Sequence, residues 1–178
     1  MTREMTLAID CGGGGIKGSV VDERGTMMAP AHRVPTPYPL PPELLVETAV
    51  GLAKELPPAT RVTMGMPGMI RHGVVIATPH YITRDGPRSR VLPELVERWD
   101  HFDMGRAIEQ ALSLPTKVLN DAEVAGAGAI TGRGLEMIIP GDRIGQRRLR
   151  RRPTGPPRRG FPGARALGPD LRRLHRRT

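Results

Sequence analysis

Thr6-Leu7-Ala8-Ile9-Asp10-Cys11-Gly12-Gly13-Gly14-Gly15-Ile16-Lys17 decides the fold. A short apolar run over Thr6–Asp10 reads as a buried strand, and the glycines at 12–15 end it with a turn. A second strand follows over Ile16–Val21. The turn leads from strand to strand rather than from strand to helix, so it is not a Walker loop. A turn without side chains lets backbone N–H groups come close to a phosphate. Lys17 adds a positive charge nearby, and Asp10 has the chemistry to orient a metal ion or a water. Taken alone, the same run reads equally well as a flexible hairpin with a solvated lysine.

Asp22-Glu23-Arg24-Gly25 is a hairpin turn, with acidic residues and glycine where the chain reverses. A third strand is predicted over Thr26–Val34, followed by a proline-rich connection over Pro35–Pro42. Leu44, Leu45, Ala49, Leu52 and Ala53 have helical spacing, which predicts a helix over Glu43–Leu56 that Pro57 and Pro58 stop. Strands are predicted over Arg61–Met66, His72–Ile76 and Thr116–Leu119, with another beginning at Glu136–Ile139. Helices are predicted over Asp103–Leu112 and Asp121–Gly128, and a polar loop over Asp85–Arg90. Three strands joined by hairpins, then helix, strand, helix and strand, make an α/β domain with a mixed sheet.

Two further stretches carry chemistry. In Met64–Val75, Gly65, Pro67 and Gly68 force a tight backbone at the end of a strand. A purely structural turn has the same look, and His72 reads as a surface residue. In Val118–Gly126, a strand ends and a helix begins at Asn120-Asp121. A carboxylate there can accept a proton from an attacking hydroxyl, and an amide offers a donor and an acceptor to sugar hydroxyls. Asn and Asp are also common N-caps, so capping is the competing reading.

Together, the three stretches resemble the ROK/glucokinase family of actin-like sugar kinases, and within it the polyphosphate glucokinases. Asp10 followed by Gly12-Gly13 and a nearby lysine is similar to the first phosphate motif of actin-like ATPases. The string Gly15-Ile16-Lys17-Gly18 looks like the polyphosphate glucokinase version. Gly14 stands where the family has a hydroxyl residue. The resemblance implies the N-terminal domain of an actin-like ATPase (ribonuclease H-like) fold. It implies Asp10, Gly12, Gly13, Gly14, Gly15 and Lys17 as phosphate-binding residues, with Asp10 also toward Mg²⁺. Pro67, Gly68, Asn120 and Asp121 would line the sugar, with Asp121 as the general base. The implied reaction is phosphoryl transfer from ATP and/or polyphosphate to glucose or a related hexose, giving glucose 6-phosphate. Full-length relatives are expected to be homodimers. Where the family has an Asn-Leu pair and a tryptophan, this chain has His80-Tyr81-Ile82 and a longer loop, with Trp99 as the equivalent aromatic.

The formal charge of the 178 residues is +9. It is not spread evenly: residues 1–140 hold 14 Lys+Arg against 16 Asp+Glu, while residues 141–178 hold 13 Arg and two Asp. The basicity belongs to the end of the chain alone. Two units are therefore expected: a kinase-type domain over 1–139 and an Arg/Pro/Gly-rich, disordered tail over 140–178. Arginine without lysine suits GC-rich DNA read out of frame. Back-translation from Pro140, read one nucleotide later, permits a second phosphate loop of the family. A frameshift near codon 140, with the second domain absent and the chain inactive as a kinase, is the expectation. DNA sequence downstream of that codon decides it. The alternatives are a sugar-binding remnant without turnover, or a basic arm contacting nucleic acid non-specifically through phosphates. The single cysteine, Cys11, excludes an internal disulfide. No apolar run approaches the roughly 18 residues of a membrane span, so no membrane partner and a cytoplasmic location are expected.

Overall fold

Alternating apolar residues at the start of the chain build an antiparallel meander. The computed structural model describes residues 3–129, 136–139 and 147–150. Strand β1 (Met5–Gly12) pairs with β2 (Gly15–Asp22) from Met5↔Asp22 to Gly12↔Gly15, so the turn between them is the two residues Gly13 and Gly14. At the other end, the Asp22 carboxylate accepts N–H groups from Arg24 and Thr26 at 2.9 and 2.8 Å and the Arg3 guanidinium at 2.7 Å. These bonds, led by that from Thr26, hold its pKa below the usual carboxylate value. Gly25, at φ +80°, completes the reversal.

Strand β3 is only His32–Val34, shorter than the sequence suggests. Met27 makes an isolated bridge to Val21, and the Met28 N–H still reaches the Val20 carbonyl at 2.7 Å. Pro30 then has no N–H to continue the ladder.

Helix α1 (Pro42–Lys54) starts on a proline at its first turn and buries Leu45, Ala49 and Leu52. Strand β4 (Arg61–Met66) runs parallel to β1. Strands β5 (Met69–Arg71) and β6 (Val74–Ala77) form a separate hairpin. Helix α2 (Pro93–Trp99) is absent from the sequence-based expectation. Helix α3 (Met104–Leu112) is capped by Asp103, which accepts the Arg106 N–H at 2.9 Å. Strand β7 (Thr116–Asn120) pairs parallel with β4 and leads directly into helix α4 (Asp121–Ala129). The sheet order is β3-β2-β1-β4-β7, the mixed α/β arrangement expected. Strand β8 (Glu136–Ile139) pairs antiparallel with β9 (Arg147–Arg150), which lies within the stretch read as a tail. The rest of residues 140–178 falls outside the described residues.

Register divides the sheet into two faces. Leu7, Ile9, Cys11, Ile16, Val20, Val62, Met64, Met66 and Val118 share one face, and all are buried with the apolar residues of α1 and α3. The Cys11 thiol is enclosed there, and burial pushes its pKa well up, so it is no reactive thiolate. The other face carries Asp10, Lys17 and Gly65. Helix α4 packs on that face: a Cβ on Gly65 would meet the Val124 side chain at 3.2 Å. Among the described residues no helix is long and apolar enough to cross a membrane.

Trp99 is buried at 1% exposure. Its indole N–H donates to the Leu40 carbonyl at 2.8 Å, and its ring contacts Tyr81 and Phe102 at centroid distances of 5.5 and 6.2 Å. It is thus a core anchor for two loops.

Candidate functional site

Strands β1, β4 and β7 are parallel neighbours, so their C-terminal ends open on one edge of the sheet. The register Asp10↔Gly65 and Met66↔Asn120 carries the three sequence motifs to that edge. Ligands of open α/β sheets characteristically meet strands at this end.

At the β7–α4 junction, Asn120 has several duties. Its side-chain oxygen accepts the Ala122 N–H at 3.0 Å, and its own N–H donates to the Glu123 carboxylate at 3.3 Å. That is a reciprocal capping box. Its amide N–H₂ also donates to the Gly68 carbonyl at 2.7 Å. The capping alternative is therefore realised, and one amide hydrogen remains for a ligand. Asp121 is exposed at the first position of α4 and accepts the Ala122 N–H through Oδ1 at 2.8 Å. Its Oδ2 has no partner among the described residues.

The Pro67-Gly68 turn is held from both sides. The Pro67 carbonyl accepts the Thr78 hydroxyl at 3.1 Å, while Asn120 holds Gly68. Gly68 sits at φ +126°, and a Cβ there would fall on the Ala77 carbonyl oxygen. Only glycine fits this position.

In the glycine turn the structure separates residues that the sequence presents as equivalent. A Cβ on Gly13 would lie 2.7 Å from the Pro87 ring and 3.7 Å from His80, because the loop after β6 folds over the turn. On Gly15 it would lie 2.5 Å from the Arg33 guanidinium. At Gly12 it would meet the Gly15 carbonyl oxygen at 3.1 Å. Gly14 is open, with nothing within 4 Å. So Gly12, Gly13 and Gly15 make room for protein atoms, and Gly14 faces outward. We expect Gly14→Ser to leave the melting temperature within about 2 °C, as surface substitutions do. Gly13→Ala should cost about 1–3 kcal/mol through overpacking. Thermal melts of both variants check this; equal losses would contradict the geometry.

Lys17 and Asp10 are cross-strand partners and form an ion pair at 2.9 Å, each about half exposed. Among the described residues no group of three or more His, Cys, Asp or Glu gathers as a metal site. A Mg²⁺ ion that keeps most of its waters and binds donor phosphates needs only one or two protein carboxylates, which Asp10 can supply.

Sequence reasoning missed two features. Arg33 reaches the turn because β3 pairs Arg33 with Lys17, a register not evident from the primary sequence. Tyr38, His80 and Tyr81 carry the buried side-chain polar atoms without a hydrogen-bond partner among the described residues: two hydroxyls and an imidazole Nδ1. Burial raises the Tyr81 pKa well above the usual phenol value. A cavity of about 750 Å³ runs along β7 from Thr116 to Leu119 and reaches Glu123 of α4, next to Asn120-Asp121, with Arg71, His72 and Arg106 also in its lining.

Comparison with known proteins agrees with this fold. The sequence matches the ROK family over residues 6–135. It is 31% identical over 139 residues to an N-acetylmannosamine kinase of Escherichia coli (strain SE11), covering 75% of this chain and 43% of that protein. Among solved structures it resembles an inorganic polyphosphate/ATP-glucomannokinase from Arthrobacter sp. strain KM, with 32% identity and TM-score 0.55 over 69% of this chain and 46% of the other. It also resembles a ROK family glucokinase from Streptomyces griseus in complex with glucose and AMPPNP, with 27% identity and TM-score 0.53 over 70% and 35%. The chain spans less than half the length of each.

Proposed function

Because the chain belongs to the ROK family, we propose that it supplies the acceptor side and the first phosphate turn of a sugar kinase. The observation that carries this is the convergence of three motifs on adjacent parallel strand ends: Asp10 with the glycine turn, Pro67-Gly68, and Asn120-Asp121.

In this reading Asp121 takes the proton from the attacking sugar hydroxyl. Asn120 fixes the Gly68 turn and offers its remaining amide hydrogen to the sugar. Asp10 holds the metal, and Lys17 keeps Asp10 in place until it does. A bound Mg²⁺ would neutralise charge on the transferred phosphoryl group. The backbone near Gly14 is the part of the turn open to donor phosphates. The acceptor is a hexose, with the 6-hydroxyl of glucose as the specific proposal. The donor is polyphosphate, ATP or both, in keeping with the Arthrobacter polyphosphate/ATP-glucomannokinase and the AMPPNP complex of the Streptomyces glucokinase.

Titration of the ¹⁵N-labelled full chain with glucose and with N-acetylmannosamine tests the acceptor site. Saturable shifts at the Gly68, Asn120 and Asp121 amides are expected. No response to either hexose up to roughly 10 mM, above the usual KM range, would sink the proposal.

A further inference from the structure

One row of charge crosses three strands on the face opposite the main core. Asp10 stands opposite Lys17, and Lys17 stands opposite Arg33. All three are exposed. Lys17 is already engaged, with its Nζ 2.9 Å from Asp10. Arg33 makes no ion pair with a carboxylate among the described residues. Its guanidinium lies across Gly15, where a Cβ would come within 2.5 Å of Nε and 2.8 Å of Nη2. Nη2 donates to the Gly14 carbonyl at 3.4 Å. With no side chain at 15, the guanidinium has room to lie on the turn. One long hydrogen bond occupies a group that has five N–H donors, so most of its donors remain unused.

A guanidinium presents a planar fork that matches two phosphate oxygens, which a lysine ammonium does not. It lies beside Gly14, the open residue of the turn. We propose that Arg33 is a phosphate-binding residue of the glycine turn and the cation that meets the donor, while Lys17 serves Asp10. This rests on the reading of the turn as the donor site. A purely structural role is the rival, since Arg33 could simply brace Gly14.

The test is a titration of the ¹⁵N-labelled full chain with tripolyphosphate, followed at the Gly12–Gly15 and Lys17 amides. The probe will also bind the arginines of 141–178, but their amides report separately and should respond alike in every variant. Arg33→Met should weaken the response at the turn by about tenfold or more, and Arg33→Lys should recover only part of it, because the charge returns without the fork. Retained amide dispersion shows that each variant is folded, and the lysine variant decides should the methionine variant not fold. Unchanged turn affinity in the variants would overturn the role of Arg33 and leave the donor site standing. No response of the turn in the unaltered chain would overturn both.

Discussion

In the proposed reading, with Asp121 as general base, Asp121→Asn is expected to lower kcat by about 10³-fold in any form of the protein that phosphorylates a hexose, the middle of the range for a lost general base. The 178-residue chain alone is expected to show no turnover. The KM for the hexose should stay within about threefold, because the exchange removes basicity and little binding. The structure makes this variant clean. Asn120 and Glu123 cap α4 independently of residue 121. The Ala122 N–H that meets Oδ1 at 2.8 Å would meet an amide oxygen equally well. What changes is the second oxygen, which becomes a donor and cannot take a proton. Steady-state kinetics with glucose and with either donor check the result. A kcat within tenfold of the unaltered protein would move the base elsewhere.

The largest expected loss of stability comes from Trp99→Ala, at about 3–5 kcal/mol. The ring is almost wholly enclosed, and its removal strands the Leu40 carbonyl that accepts the indole N–H. It also takes away the ring against which Tyr81 and Phe102 pack. A fall in melting temperature of roughly 10–20 °C follows for a domain of this size. Trp99→Phe should fall between the two, since it keeps part of the packing and loses the hydrogen bond. Circular dichroism melts measure both. A change below about 3 °C for the alanine variant, small against what a core cavity costs, would show that the loop at Leu40 does not depend on this anchor.

The motif-bearing strands were legible in the sequence because their signals are local. Apolar residues at 7 and 9 and at 62, 64 and 66 alternate along their strands, and Pro57-Pro58 stops a helix wherever it occurs. The boundary of β3 was misread because the decisive fact is a missing N–H at Pro30, masked by apolar neighbours that look like strand. Helix α2 was missed because seven residues are too few for propensity to sustain; Leu95 and Trp99 hold it only through the core. In the candidate site, Asp10, Gly68, Asn120 and Asp121 could be named from their motifs. Arg33 could not, since its place depends on a cross-strand register. Trp99 could be matched to the family's aromatic, but its burial could not be foreseen, because it depends on the loop at Leu40, 59 residues away.

The contact between Gly13 and Pro87 bears on how this sequence can drift. A side chain at position 13 crowds the ring at 87, and a ring at 87 penalises anything but glycine at 13. The two codons are 74 apart in the chain, yet selection meets them as one character. A change at either is first felt at the other, so the turn and the loop above it should be inherited as a matched set.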